Sequence, residues 1–345
     1  MSEGQSEPDD TMRGRVATRP WKVSLFLATG RRWLVLAFVG CVFAVLVVLG
    51  TLDPVGLRAA VRTGDPIETL FQALLTAIVT GVTLVVTINQ LVLSQELGAV
   101  ADQRERMEGA LSFREAVAGD LDEPVSPLEP APFLAALLRA TDERATDLDE
   151  SVADGDVPED IRQSVTSYAE SIREHGSGVT ERLEGATFGS FAVMDAALDY
   201  NYSWKLAEAR RLQATAGEAL PEATATALEE IEALLGHYGV AREHVKTLYF
   251  QWELVDLSRA MLVSAVPALL TAIGMILFVD DPGTIVGATL GVDNLVWVVA
   301  AATSVALLPF ALLFATILRI VTVAKRTLAI GPFVLRETDA DTDEP

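Results

Sequence analysis

The stretch TAIVTGVTLVVTINQLVLSQE, residues 76–96, has the aliphatic content of a membrane span, but polar side chains interrupt it. Apolar residues already dominate from residue 69 onward. A transmembrane helix needs about 20 predominantly apolar residues, so residues 69–95 are long enough to cross a bilayer. Because the hydrocarbon core disfavours polar groups, the polar residues of this span need a physical reason.

Most of these polar residues fall on one face of the predicted helix. At about 100° per residue, eight of them lie within about 80° of arc over about seven turns. Successive members are three or four positions apart, as in a heptad seam. We call this set the polar stripe; its members are Thr69, Gln72, Thr76, Thr80, Thr83, Thr87, Gln90 and Ser94. On the other side of the helix, Ala77 and Gly81 predict a face on which another span packs closely.

Two interpretations of the polar stripe remain open at this point. In the first, the stripe packs against another helix, and each Thr hydroxyl returns a hydrogen bond to a carbonyl three or four residues back. In the second, copies of the span surround a symmetry axis and line a pore with hydroxyls and amides. The sequence does not decide whether the polar stripe packs against another helix or faces water.

Three further segments are long and apolar enough to cross a bilayer: residues 33–52, 260–279 and 295–318. The predicted fold is therefore all-α, with four transmembrane helices and a helical bundle inserted between the second and the third. The expected organisation is an N-terminal tail and interfacial segment (1–32), spans one and two (33–97), an acidic domain (98–258), spans three and four (259–320) and a C-terminal tail (321–345).

Basic residues predict the orientation of these spans. Clusters of Arg and Lys occur before the first span, after the second and after the fourth. The loop DDPGTIVGATLGVDN between spans three and four has no basic residue. Because cytoplasmic loops carry the excess of Lys and Arg, we expect a multi-pass protein of the cell membrane with both termini and the acidic domain in the cytoplasm.

The charge of the acidic domain distinguishes it from the apolar spans. Residues 98–258 contain 32 acidic and 13 basic residues, which accounts for 19 of the 22 net negative charges of the chain. Only four of the 26 basic residues are Lys. An acidic, lysine-poor surface is typical of proteins from salt-accumulating halophiles, where salt screens charge over about 3 Å at 1 M.

Periodic apolar residues predict that the acidic domain is helical. We expect the second span to continue as a helix through residues 98–119, and a proline-rich segment to break the chain at 121–132. Further helices are expected over residues 132–152, from Pro158 onward and over 192–214. The last helix should begin after Pro221 and run directly into the third span, because no helix breaker lies between Ala241 and Pro267.

The sequence offers no catalytic, cofactor or metal motif. It lacks a phosphate-binding G-x-x-x-x-G-K-[ST] loop and a G-x-S-x-G elbow. Cys41 is the only cysteine and is expected to be a small buried apolar residue. His237 and His244 share a helix face at a spacing of seven, whereas a helical metal pair usually uses four, so we interpret them as solvated. We expect no enzymatic activity, no cofactor and no nucleic-acid partner.

The run INQLVLSQELGAVADQRERMEGALSFR, residues 88–114, resembles uncharacterised multi-pass membrane proteins of haloarchaea. The order of segments is also similar to that of bestrophin-type anion channels. That second likeness concerns architecture only, since threonines stand where a bestrophin's second span carries aromatic residues.

The expected function is that of a membrane-anchored structural or interaction module. Its partners would be the lipid bilayer, further copies of the chain and a cytoplasmic protein bound by the acidic domain. The alternative is a homo-oligomeric ion channel lined by the polar stripe. An enzyme or a coupled transporter is a third possibility that the sequence favours least, because no span has an ionisable group at its centre.

Overall fold

The structure is a computed structural model, and it describes residues 31–52, 56–96, 98–153, 157–186, 191–279, 283 and 285–327. The predicted interfacial segment before residue 31 and the tail beyond residue 327 lie outside the described residues. The prediction of an all-α protein is confirmed: apart from one pair of two-residue strands, the regular structure of the described chain is helical. The described chain divides into an acidic unit, residues 98–250, and an apolar unit, residues 31–97 and 251–323.

The helices of the first apolar segment are α1 (Arg31–Leu52), α2 (Leu57–Thr63) and α3 (Pro66–Glu96). The acidic unit contains α4 (Val100–Asp120), α5 (Pro130–Ala153), α6 (Glu159–Glu184), α7 (Phe191–Asp199) and α8 (Tyr202–Ala216). The long helix α9 (Glu222–Phe278) continues from the acidic into the apolar unit and is followed by β1 (Ala288–Thr289), β2 (Val292–Asp293), α10 (Asn294–Ala306) and α11 (Leu308–Thr327).

Three helices are long and apolar enough to cross a membrane: α1, α3 and α9. The prediction that α9 runs unbroken from Pro221 through the third span is confirmed, with Pro267 inside it. Helices α10 and α11 qualify only together, as a pair bent by 48°. By length and composition, the described residues therefore contain three candidate spans, or four if the bent pair is one span.

The predicted fourth span, residues 295–318, is bent at Leu307. Pro309 has no N–H to bond the carbonyl four residues earlier, and its ring crowds that carbonyl. The backbone N–H of Leu307 still bonds the carbonyl of Thr303, so α10 ends in an ordered turn. A bend of this size at a proline needs no other cause.

Alanines make up a large part of the core of the apolar unit. Ala265, Ala268 and Ala272 of α9 pack with Ala302 and Ala306 of α10 in one buried cluster. Lipid tails are as apolar as the helices, so helix association in membranes depends on close packing, which small residues permit.

Cys41 was expected to be buried, but in the structure it is exposed on α1. Its side chain lies on the outer face of that helix, whose one buried residue is Val35.

The core of the acidic unit is a conventional hydrophobic one. Along α5, buried residues recur at intervals of four and three positions, which gives that helix one apolar face. That face packs mainly on α6, and α6 in turn contacts α7 and α8. The residues that recur in this way are Leu134, Leu138, Thr141, Ala145, Leu148 and Val152; near its beginning α5 also buries Ala131, Phe133, Ala135, Ala136 and Leu137. The proline-rich break before α5 and the helix start after Pro158 are both confirmed.

Two helices that the sequence predicts to be continuous are each divided into two pieces. The second span does not continue through residues 98–119: α3 ends at Glu96, and α4 begins at Val100 after Gly98 and Ala99. Glycine costs a helix interior about 1 kcal/mol relative to alanine, which favours a break at Gly98. The predicted helix over 192–214 is divided at Tyr200 and Asn201. Asn201 accepts a hydrogen bond from the backbone N–H of Trp204 and so caps the second piece, α8.

The loop between α9 and α10 contains a small β-hairpin that the sequence did not predict. Its two-residue turn is Leu290-Gly291, and both residues have positive φ, 54° and 78°. Both central residues of a type I′ hairpin turn have positive φ. The indole N–H of Trp297 donates to the carbonyl of Thr289 at 3.1 Å, which ties the hairpin to α10.

Candidate functional site

The polar stripe lies on the exposed face of α3. All eight members, from Thr69 to Ser94, are exposed in the single chain. At about 1.5 Å per residue, the stripe extends about 38 Å along the helix. That length exceeds the hydrocarbon core of a bilayer, which is about 30 Å thick. The polar stripe is therefore long enough to extend through the full apolar thickness.

The buried face of α3 is opposite the stripe. Its fully or almost fully buried residues are Ile67, Phe71, Ile78 and Val85. On the helical wheel they centre about 180° from the middle of the stripe. Phe71 and Ile78 pack in the same cluster as the alanines of α9 and α10. Within the described chain, α3 thus turns its apolar face inward and its polar stripe outward.

The hydroxyl groups of the stripe bond the backbone of their own helix. Thr76 and Thr80 donate to the carbonyls of Gln72 and Thr76, at 3.0 and 2.8 Å. Thr83 and Thr87 do the same to Val79 and Thr83, at 2.8 and 2.9 Å. These bonds hide the hydroxyl protons, but each oxygen keeps acceptor capacity on the exposed face.

The carboxamides of the stripe are harder to place in lipid than its hydroxyls. Gln72 donates from Nε2 to Glu68 Oε1 at 2.8 Å, near the beginning of α3. Gln90 is exposed near its other end. An amide that loses water without gaining a partner costs several kcal/mol in hydrocarbon. The stripe therefore suits a protein surface or water better than lipid.

The sequence predicted a close-packing face at Ala77 and Gly81, and the structure confirms it only at Gly81. A Cβ on Gly81 would lie 3.1 Å from Cε1 of Phe310, so α11 approaches α3 closely at this glycine. Ala77, in contrast, is exposed. The packed face is therefore rotated away from Ala77, toward Ile78 and Val85.

The two histidines on α9 have different surroundings. His237 Nε2 lies 2.8 Å from Asp120 Oδ2, and its ring meets Phe113 edge-on. His244 is exposed. Among the described residues, no group of three or more His, Cys, Asp and Glu side chains could hold a metal ion.

Sequence reasoning missed a buried lysine in the acidic unit. Lys205 is fully buried, with Nζ 3.1 Å from Ser171 Oγ and 3.2 Å from His175 Nδ1. Its ammonium group also lies over the rings of Tyr200 and Trp204. The available signal was its position, because Lys205 is in helical register with the buried Ala209, Leu212 and Ala216.

Near this lysine, Tyr168 donates its hydroxyl to the carbonyl of Lys205 at 2.9 Å. Burial, with smaller contributions from the carboxylates of Glu208 and Glu232, raises the pKa of Tyr168 far above its ordinary value. The phenol therefore stays protonated and keeps donating this bond.

A second feature missed from the sequence is a groove of about 630 Å³ between α4 and α9. We call it the α4–α9 groove. Its larger apolar lining residues are Phe113, Leu128, Phe133, Val240, Val245 and Leu248. Arg106 and Arg114 also line it and supply positive charge in an otherwise acidic unit, and His244 lines it as well.

The comparisons with known proteins identify a family but no activity. A family model, DUF7972, described as a family of unknown function, matches residues 1–345. No curated protein and no solved structure matches the chain.

Proposed function

The chain belongs to DUF7972, a family of unknown function, and we propose that it is a homo-oligomeric membrane protein whose copies line a polar path across the bilayer. In this proposal, the polar stripes of several α3 helices face a common axis. The observation that carries it is the exposure of all eight stripe residues on the face opposite the core of the apolar unit.

The chemistry of the stripe supports a path for water or ions. Exposed hydroxyl and amide oxygens can replace part of the hydration shell of a permeating ion. The stripe adds no charged side chain between Thr69 and Ser94, so the path would be polar but uncharged. Exposed apolar residues, among them Leu84 and Ile88, lie on α3 outside the stripe and suit contact with lipid or a neighbouring helix.

The proposed topology has four spans, with α10 and α11 crossing as one bent span. Both termini and the acidic unit would be cytoplasmic, which follows from the distribution of Arg and Lys along the chain. The acidic, lysine-poor composition suits a salt-rich cytoplasm such as that of a halophile.

A second candidate function is a non-enzymatic, membrane-anchored structural or interaction module. The back-bonded threonine hydroxyls favour it, because they conceal polarity and would let two stripes pack without water. In that case the stripe serves only assembly, and the acidic unit binds a cytoplasmic protein.

Thiol labelling in a Cys41→Ala background separates these two candidates. Single cysteines replace Thr76, Thr80, Thr83, Thr87 or Gln90, and a membrane-impermeant reagent is added to the protein in vesicles. Matched controls are Leu84→Cys and Ile88→Cys, which are exposed but outside the stripe, and Ile78→Cys, which is buried.

A water-filled path predicts labelling at the stripe and none at the three controls. If light scattering shows that the sample is oligomeric and no position is labelled, a water-filled path along the polar stripe is excluded. The structural or interaction module then remains. A monomeric sample would contradict both assembly proposals. The orientation is tested separately by a reporter fused after Pro345, which must be active in the cytoplasm.

A further inference from the structure

We propose that the α4–α9 groove is the docking site for the C-terminal segment of this chain, residues 328–345. That segment lies outside the described residues, and its sequence is LAIGPFVLRETDADTDEP. The proposal does not depend on the polar stripe or on a path across the membrane.

The groove has the chemistry of a peptide-binding site rather than of an ordinary surface. Leu128 and Val240 are 82% and 57% exposed, so apolar side chains remain uncovered at its edge. The rings of Phe113 and Phe133, tilted by 38° with their centroids 6.0 Å apart, also line the groove. Gly109 and Ala110 carry little side-chain bulk on the α4 side, which keeps the groove open.

The charge along the groove selects an acidic occupant. Arg106 and Arg114 are eight residues apart on α4, or about 12 Å along the helix. Arg114 donates to the carbonyls of Ser126 and Pro127, at 2.7 and 3.0 Å, and these neutral partners leave its positive charge in place. Among the described residues that line the groove there is no carboxylate, so its lining favours a negatively charged ligand over a positively charged one.

The C-terminal segment matches both properties of the groove. Residues 328–335 are apolar apart from a glycine, and residues 336–345 contain five carboxylates and one arginine. The apolar part suits the aromatic rings, and the acidic part suits the arginines. In an extended form, the eight apolar residues cover about 27 Å, and the acidic residues follow them directly.

Disulfide trapping in the full-length chain tests this proposal. In the Cys41→Ala background, Phe333→Cys is combined with Val240→Cys at the groove or with Gln163→Cys, an exposed control on α6. After mild oxidation, peptide mass spectrometry quantifies each disulfide. Since a docked segment has a high effective concentration at its site, the groove pair should form about tenfold more disulfide than the control pair.

Two further measurements make the result specific. Ala110→Trp, which fills the groove, should abolish the excess, whereas Ala110→Ser should preserve it. Synthetic peptide 328–345 should compete with the disulfide, and a scrambled peptide should not. Mixing the two single-cysteine proteins distinguishes a segment from the same chain from one donated by a neighbouring copy.

Equal disulfide yields at residues 240 and 163 would overturn the proposal, as would an excess that survives Ala110→Trp. A disulfide joining two copies of Val240→Cys would show that a second acidic unit covers the groove, and it would overturn the proposal as well.

Discussion

A Cβ placed on Gly81 would lie 3.1 Å from Cε1 of Phe310, so α3 and α11 approach closely because residue 81 has no side chain. A large side chain at residue 81 must push Phe310 and its helix away. Overpacking of this kind typically costs about 1–3 kcal/mol. The contact is therefore a sensitive test of how the apolar unit packs.

We expect Gly81→Leu to lower the thermal midpoint of the protein in detergent, followed by helical circular dichroism. Gly40→Leu is the matched control, because a Cβ at Gly40 meets nothing within 4 Å on the exposed face of α1. It adds the same side chain to another apolar helix and should leave the midpoint nearly unchanged. Equal midpoints for the two variants would show that α3 and α11 do not pack at Gly81.

The polar stripe allows a test that separates folding from function. We expect the combined replacement of Thr76, Thr80, Thr83 and Thr87 by Val to leave the thermal midpoint almost unchanged, since their hydroxyls bond only α3 itself. A path lined by valine would dewet, so ion flux from loaded vesicles should fall sharply.

Thr51→Val is the control for this experiment, because Thr51 is exposed on α1 and donates to the carbonyl of Val48 at 2.7 Å. It removes the same back-bond outside the stripe and should preserve flux. Undiminished flux in the fourfold variant would exclude a path along the stripe. Wild-type protein without flux would favour the structural module.

The stripe and the spans could be predicted from the sequence because the bilayer imposes one strong rule on every residue. Polar groups must leave the lipid, so the period of Thr and Gln along residues 69–94 reveals a face directly. The buried face of α3 then had to lie opposite, as Phe71 and Ile78 show. What this period cannot give is the partner of the exposed face, which depends on other copies or on water.

The breaks between helices were harder to predict because each depends on a few local contacts. Gly98, Asn201 and Pro309 are modest signals in the sequence, and only the structure shows that one helix ends and another begins beside each of them. The Leu290-Gly291 turn lacks the Asn or Asp that usually marks a type I′ hairpin. Lys205 was missed because lysine is almost never fully buried, and its partners come from a different helix.

The carboxyl group of Asp142 should make folding depend on pH in an unusual direction. Burial raises the pKa of Asp142 above its ordinary value of 3.8, and the opposing effect of Arg173 is smaller. The folded state therefore holds this proton more tightly than the unfolded state does. Its contribution to stability is fully present below pH 3.8 and declines as the pH rises through the folded pKa.

Asp142→Asn removes this decline, so we expect the variant to be more stable than the wild type at neutral pH. The difference should shrink as the pH falls toward 3.8. Glu143→Gln, an exposed neighbour on α5, is the control for the loss of one negative charge. Urea unfolding at a series of pH values measures the difference. A gain in stability that is independent of pH, or one that Glu143→Gln shows equally, would contradict a raised pKa of Asp142.

Lys205 provides the last test, because its four-carbon chain and its ammonium group have opposite effects on stability. Lys205→Met keeps most of the buried volume and replaces the ammonium group, which bonds Ser171 and His175, by an apolar thioether. Replacing a buried charge by an apolar side chain of similar size is often neutral or stabilising.

Lys205→Ala removes the charge but also leaves a cavity, which typically costs about 2–5 kcal/mol. We therefore expect the alanine variant to unfold at clearly lower urea concentration than the methionine variant. Lys246→Ala is the control, since the pair of Lys246 with Glu243 is partly exposed, and its loss should cost less than about 1 kcal/mol. Equal midpoints for Lys205→Ala and Lys205→Met would mean that the stem of Lys205 fills no space in the core.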